Sequence, residues 1–120
     1  MSSGRLNKIR FFLLSPKSFQ YYPRLMSTSC AHRKTCYFHG HVQGVGFRYT
    51  VKNIAQRHDV NGYVRNLSDG RVELVMEGPD PEMDEFVNEV CDRMSGFIKK
   101  VDTNLFPATG EFAQFYIRQH

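Results

Sequence analysis

Between Gly40 and Arg48 the chain reads Gly40-His41-Val42-Gln43-Gly44-Val45-Gly46-Phe47-Arg48. Glycines at alternate positions permit positive φ and let the main chain approach a ligand closely; a helix opening directly afterwards points unpaired N–H groups the same way. Such a loop suits an anion. Arg48 falls in the first turn of that helix, where a cation opposes the macrodipole unless an anion sits between them. Its planar, permanently charged guanidinium offers two parallel hydrogen bonds, a match for phosphate oxygens. The second candidate is Asn66, at the end of a strand just before an Asp-Gly turn. It shares its strand phase with Val64, so its amide is expected on the side that carries the loop. An amide both donates and accepts, which lets it hold a water near phosphorus without adding negative charge.

These residues need elements to hold them. Thr35–Val42 alternates Cys36, Phe38 and Val42 against Tyr37, His39 and His41, the period of a strand. From Phe47 the apolar positions become Phe47, Val51, Ile54, Ala55 and His58, the spacing of a helix. Val60–Leu67 and Arg71–Glu77 read as strands joined by Ser68-Asp69-Gly70, a hairpin. Gly78-Pro79-Asp80-Pro81 stops the second of them and offers Asp80 as N-cap, with Pro81 at the first helical position. Met83, Phe86, Val87, Val90 and Met94 then form one stripe of a second helix that runs to Gly96. Phe97–Phe106 and Phe112–Arg118 are strand-like, separated by Pro107-Ala108-Thr109-Gly110. The order β-α-β-β-α-β with a short additional C-terminal strand predicts an α+β ferredoxin-like sandwich, two helices on one face of an antiparallel sheet.

Charge separates the ends of the chain. Residues 1–34 carry seven bases and no acid, whereas residues 35–120 hold the other nine bases and all 12 acids. The split marks residues 1–33 as a basic extension and residues 34–120 as the domain. Being Ser-rich and acid-poor, the extension has the composition of a mitochondrial transit peptide or a disordered tail, and Met26 offers a second start. Its longest apolar run, Phe11-Phe12-Leu13-Leu14, is too short to span a bilayer. Three cysteines, Cys30, Cys36 and Cys91, lack a C-x-x-C spacing and point to free thiols in a reducing compartment, so the cytoplasm is the expected location. At 41% hydrophobic and 23% charged residues, the chain is neither collagen-like nor wholly disordered.

The residues Gly40 to Arg48, then Ala55, Gly62-Tyr63-Val64-Arg65-Asn66, Asp69-Gly70-Arg71-Val72-Glu73 and Gly78 together resemble the acylphosphatase family. The resemblance spans roughly residues 34–120. It implies hydrolysis of the carboxyl–phosphate bond of acyl phosphates, giving a carboxylate and inorganic phosphate, without metal, cofactor or covalent intermediate. It implies that Arg48 binds the phosphate, that Asn66 positions the attacking water, and that the main chain of Gln43, Gly44, Val45, Gly46, Phe47 and Arg48 wraps the phosphate oxygens. Two positions depart from the family pattern. Asp59 stands where Gly usually closes the first helix, a less comfortable left-handed cap by roughly 1 kcal/mol, and Tyr63 stands where Trp is common. The basic extension is also absent from short family members. The expected partners are a small acyl phosphate and inorganic phosphate, with the chain a monomer.

Other chemistries fit less well. A cysteine phosphatase loop would place Val42 at the nucleophile, and no Gly is followed by the Lys of a Walker loop. His39 and His41 have no third metal ligand at a convincing spacing. Cys36 and Cys91 fall on core-directed phases, and Glu82, Asp84, Glu85, Glu89 and Asp92 read as the solvated side of the second helix. An RNA-recognition motif shares the element order, but its third strand presents aromatics where Arg71–Glu77 has two acids and none, so no nucleic-acid partner is expected. A catalytically quiet phosphate-binding module is the remaining alternative.

Overall fold

A computed structural model describes residues 32–119. The expected extension lies almost wholly outside them. The elements are β1 (His32–Gly40), α1 (Phe47–Ala55), β2 (Asn61–Asn66), β3 (Val72–Gly78), α2 (Asp80–Arg93), β4 (Ile98–Pro107) and β5 (Phe115–Ile117). They form one five-stranded sheet in the order β4-β1-β3-β2-β5. The α+β ferredoxin-like arrangement is the one anticipated. Since β1 begins at His32, Arg33 and Lys34, two of the seven bases counted at the start of the chain, are strand residues.

One face of the sheet is dry because its alternate residues are apolar and both helices cover it. Cys36 and Phe38 from β1, Val64 from β2 and Val72, Leu74 and Met76 from β3 meet Val51 and Ile54 of α1 and Met83, Phe86 and Val90 of α2, all buried. Ala55 ends α1 earlier than the apolar spacing suggests. Gln56 caps it in a right-handed conformation, so Asp59 is not its cap; the Asp59 N–H instead donates to Glu82 at 3.0 Å. At α2 the cap is Pro79, not Asp80, because the extended proline backbone already turns the chain into the helix. The Asp80 carboxylate is engaged elsewhere, 2.9 and 3.0 Å from Nδ1 of His32.

The sheet is mixed, not wholly antiparallel. β1 pairs antiparallel with β3 and β4, and β2 with β3, but β5 lies parallel to β2. The reason is topological: after β4 at one edge, the chain crosses to the opposite edge before β5 begins. The crossing passes the face away from the helices, where the N–H groups of Thr109 and Gly110 donate to the Glu77 carboxylate at 3.0 and 2.9 Å. Phe112 meets the Tyr63 ring edge-on there. All seven residues of β3 are consequently buried, including Glu73 and Glu77, which alternation alone would leave to solvent. Each acid is satisfied: Glu77 by Arg33 at 2.8 Å, Glu73 by Arg65 at 2.6 Å and by the hydroxyls of Tyr37 and Tyr63.

Candidate active site

The loop between β1 and α1 is anchored at its start by the His41 N–H, which donates to the Phe97 carbonyl at 2.9 Å. Gly44 and Gly46 then take φ of 78° and 79°, left-handed values that an L side chain rarely adopts. They turn the chain directly into α1. Gly46 is the N-cap residue, its carbonyl accepts from the Thr50 N–H at 3.0 Å, and no side chain caps the first turn. Helix geometry leaves the first-turn amides without internal acceptors, and no acid stands there to serve them. The result is a positive pole facing the loop. Phe47 locks this end down, its ring 5.1 Å from that of Phe38 in the core.

A cleft of about 260 Å³ opens at this point, lined by Val42, Gly44, Gly46, Phe47, Arg48, Tyr49 and Asn66. The two side chains singled out from the sequence, Arg48 from α1 and Asn66 from the end of β2, thus share one cavity despite lying 18 positions apart. Arg57, Arg65, Arg71 and Arg93 each pair with a carboxylate; Arg48 makes no such pair among the described residues. Within that set it is a cation without a counter-ion, beside a helix N-terminus. Asn66 is the complementary oddity. Its Oδ1 is buried and has no hydrogen-bond partner among the described residues, an arrangement that costs about 1–3 kcal/mol and that native structures rarely keep without a reason.

Of the six residues expected to wrap a phosphate, Gly44, Gly46, Phe47 and Arg48 line the cleft, while Gln43 and Val45 do not. Val45 packs partly against the core. The Gln43 side-chain amide turns away to the β2–β3 hairpin, donating to the carbonyls of Leu67 at 2.8 Å and Arg71 at 3.0 Å. Sequence reasoning misses Tyr49 and Val42 as lining residues; the position of Tyr49 next to Arg48 in the first turn is the available signal, and the residue is 69% exposed. His39, weighed as a metal ligand, instead meets Asp102 at 2.8 Å, and the ring of His41 lies near Phe97. Cys36 is buried and Cys91 half-buried, both as free thiols; burial pushes each thiol up, away from the reactive thiolate form.

The fold and the cleft define a ferredoxin-like α+β domain in which a helix N-terminus that no side chain caps, a guanidinium and an asparagine with a buried, unpartnered acceptor are brought to one place. Comparison with known proteins agrees on its class. Residues 34–117 match the acylphosphatase family. The acylphosphatase of Paenarthrobacter aurescens is 43% identical over 86 residues, covering 71% of this chain and 92% of that protein. That of Salinibacter ruber is 36% identical over 95 residues, 78% of this chain and the whole of that protein. The crystal structure of acylphosphatase from Bacillus subtilis superposes with a TM-score of 0.66 at 29% identity, covering 72% of this chain and 98% of that one. The chain belongs to the acylphosphatase family.

Proposed function

We propose that this cleft hydrolyses the carboxyl–phosphate bond of small acyl phosphates, with Arg48 and the loop main chain from Gln43 to Arg48 holding the phosphate and Asn66 holding the attacking water. The observation that carries the reading is that Asn66, whose Oδ1 is buried and unpartnered among the described residues, lines the same cleft as Arg48. An acceptor of this kind takes a hydrogen from water and leaves the water oxygen free to approach phosphorus. The new bond forms between that oxygen and phosphorus, while the bond from phosphorus to the acyl oxygen breaks and its electron pair departs with the carboxylate. The water proton passes to a phosphate oxygen of the substrate. A carboxylate is already a good leaving group, and a loose transition state asks mainly for positioning and charge stabilisation, which this site supplies without a general acid.

No helix among the described residues is long and apolar enough to cross a membrane. The free thiols support a reducing compartment, the cytoplasm; a mitochondrial address for residues 1–33 is tested by fusing them to a fluorescent reporter.

Hydrolysis of benzoyl phosphate, followed by its loss of ultraviolet absorbance, tests the activity. The wild-type protein turns it over, and Arg48→Ala lowers the rate by about 10³-fold or more, as for other phosphate-stabilising arginines, with an unchanged circular dichroism spectrum. A folded Arg48→Ala protein of near-normal turnover rules out the assignment. Competitive phosphate binding without turnover identifies a quiet binding module instead.

A further inference from the structure

The hydrolase reading assigns Gln43 only its main chain, yet its side chain makes the two hydrogen bonds that join the phosphate loop to the hairpin carrying Asn66. Both donors of the amide are used, one on the carbonyl of Leu67 and one on that of Arg71. Those two residues are already bonded to each other, Leu67 N–H to Arg71 carbonyl at 2.8 Å, and the Gly70 N–H closes the turn on Leu67 at 3.2 Å. The hairpin therefore stands without Gln43. The loop too has its own anchors, at His41 and through Gly46 to Thr50. What the Gln43 amide adds is the link between them. Leu67 directly follows Asn66, the last residue of β2, and Gln43 directly precedes Gly44 of the cleft.

We propose that Gln43 is a positioning residue that fixes the separation between the phosphate cradle and Asn66, and so governs alignment of the water and not affinity for phosphate. The proposal rests on the hydrolase reading. A glutamine suits this role because its reach spans the gap and its two N–H bonds point at two carbonyls that a carboxylate would repel. Because the link acts through Asn66, its loss matters only while Asn66 is present.

The test is a double-mutant cycle on benzoyl phosphate with Gln43→Met, Asn66→Ala and both together, measuring kcat, KM and the inhibition constant of inorganic phosphate. Gln43→Met keeps the length of the side chain and removes both donors; Gln43→Glu, equal in shape, serves if the Met variant does not fold. Gln43→Met is expected to lower kcat by about 10- to 100-fold, the scale of an ångström-sized misplacement, with KM and phosphate inhibition within about threefold. In the Asn66→Ala background the same substitution is expected to cost less than about threefold, the signature of coupled neighbours. Equal losses in both backgrounds, or a loss confined to phosphate inhibition, overturn the positioning role while leaving the hydrolase reading intact. A wild-type protein that hydrolyses no acyl phosphate overturns both.

Discussion

At Asn66 a single atom carries an uncommon burden, a buried acceptor with no donor among the described residues. If a reacting water supplies the donor, Asn66→Ala removes one preorganised contact and lowers kcat by about 10²–10³-fold, with KM for benzoyl phosphate nearly unchanged. Asn66→Asp keeps the shape but puts a negative charge in the phosphate cleft. It therefore raises both KM and the phosphate inhibition constant at neutral pH, and this difference between the two variants is read in steady-state kinetics with phosphate as inhibitor. Arg48 and Asn66 are legible in the sequence because residue type and phase suffice: a guanidinium after a glycine loop, an amide on the core phase of a strand. The side-chain role of Gln43 is not. Its partners lie 24 and 28 residues away, and nothing local distinguishes a glutamine that bonds a distant turn from one facing solvent.

At the scale of elements, the site depends on how closely β2 lies against β3. Gly62 has φ of 152°, and a Cβ there would stand 1.9 Å from the Val75 carbonyl oxygen. Any side chain must push the two strands apart. Gly62→Ala is thus expected to lower stability by several kcal/mol, the cost of a core overpacking with backbone displacement, read as a strong drop in the thermal midpoint. Because Asn66 ends the same strand, the variant is also expected to lose more kcat than phosphate affinity when assayed well below its melting temperature. Strands, helices and their order can be read from period and turn residues, since each buries one stripe. The parallel placement of β5 cannot, because Phe115–Ile117 is only three residues long and its edge is decided by the crossing segment. The cap of α2 escapes the sequence for a related reason: Asp80 has the right chemistry for a cap, but His32, from the far end of β1, is also a partner for it.

Across the whole molecule, the charge pattern has a structural outcome that composition hides. The sheet face away from the helices is closed by carboxylates of β3 and by arginines, with Arg33 joining Glu77 and Glu111 and Arg65 joining Glu73. Burial pushes the Glu77 carboxyl up, but the N–H groups of Thr109 and Gly110, the Arg33 guanidinium and the Thr109 hydroxyl outweigh it and hold the group below its ordinary value. A carboxyl depressed in the folded state binds fewer protons there than in the unfolded chain, so stability rises with pH through this range. The contribution of Glu77 is complete above the unfolded glutamate value of about 4.3 and is lost as pH falls through the lower, folded value. Thermal unfolding is therefore expected to be insensitive to Glu77 titration from neutrality to about pH 5 and to weaken below about pH 4. Glu77→Gln removes the charge opposite Arg33, which keeps Glu111 as a partner, and so lowers stability at pH 7 by about 1.5–3 kcal/mol, the scale of lost hydrogen bonds to a charged group. The same variant should show a shallower acid decline than the wild type, because the proton that destabilises the native network no longer has a site. Melting curves of both proteins between pH 3 and 7 decide it: parallel declines would mean that other carboxylates, such as Asp69 beside Arg71 or Glu111 beside Arg33, govern acid unfolding.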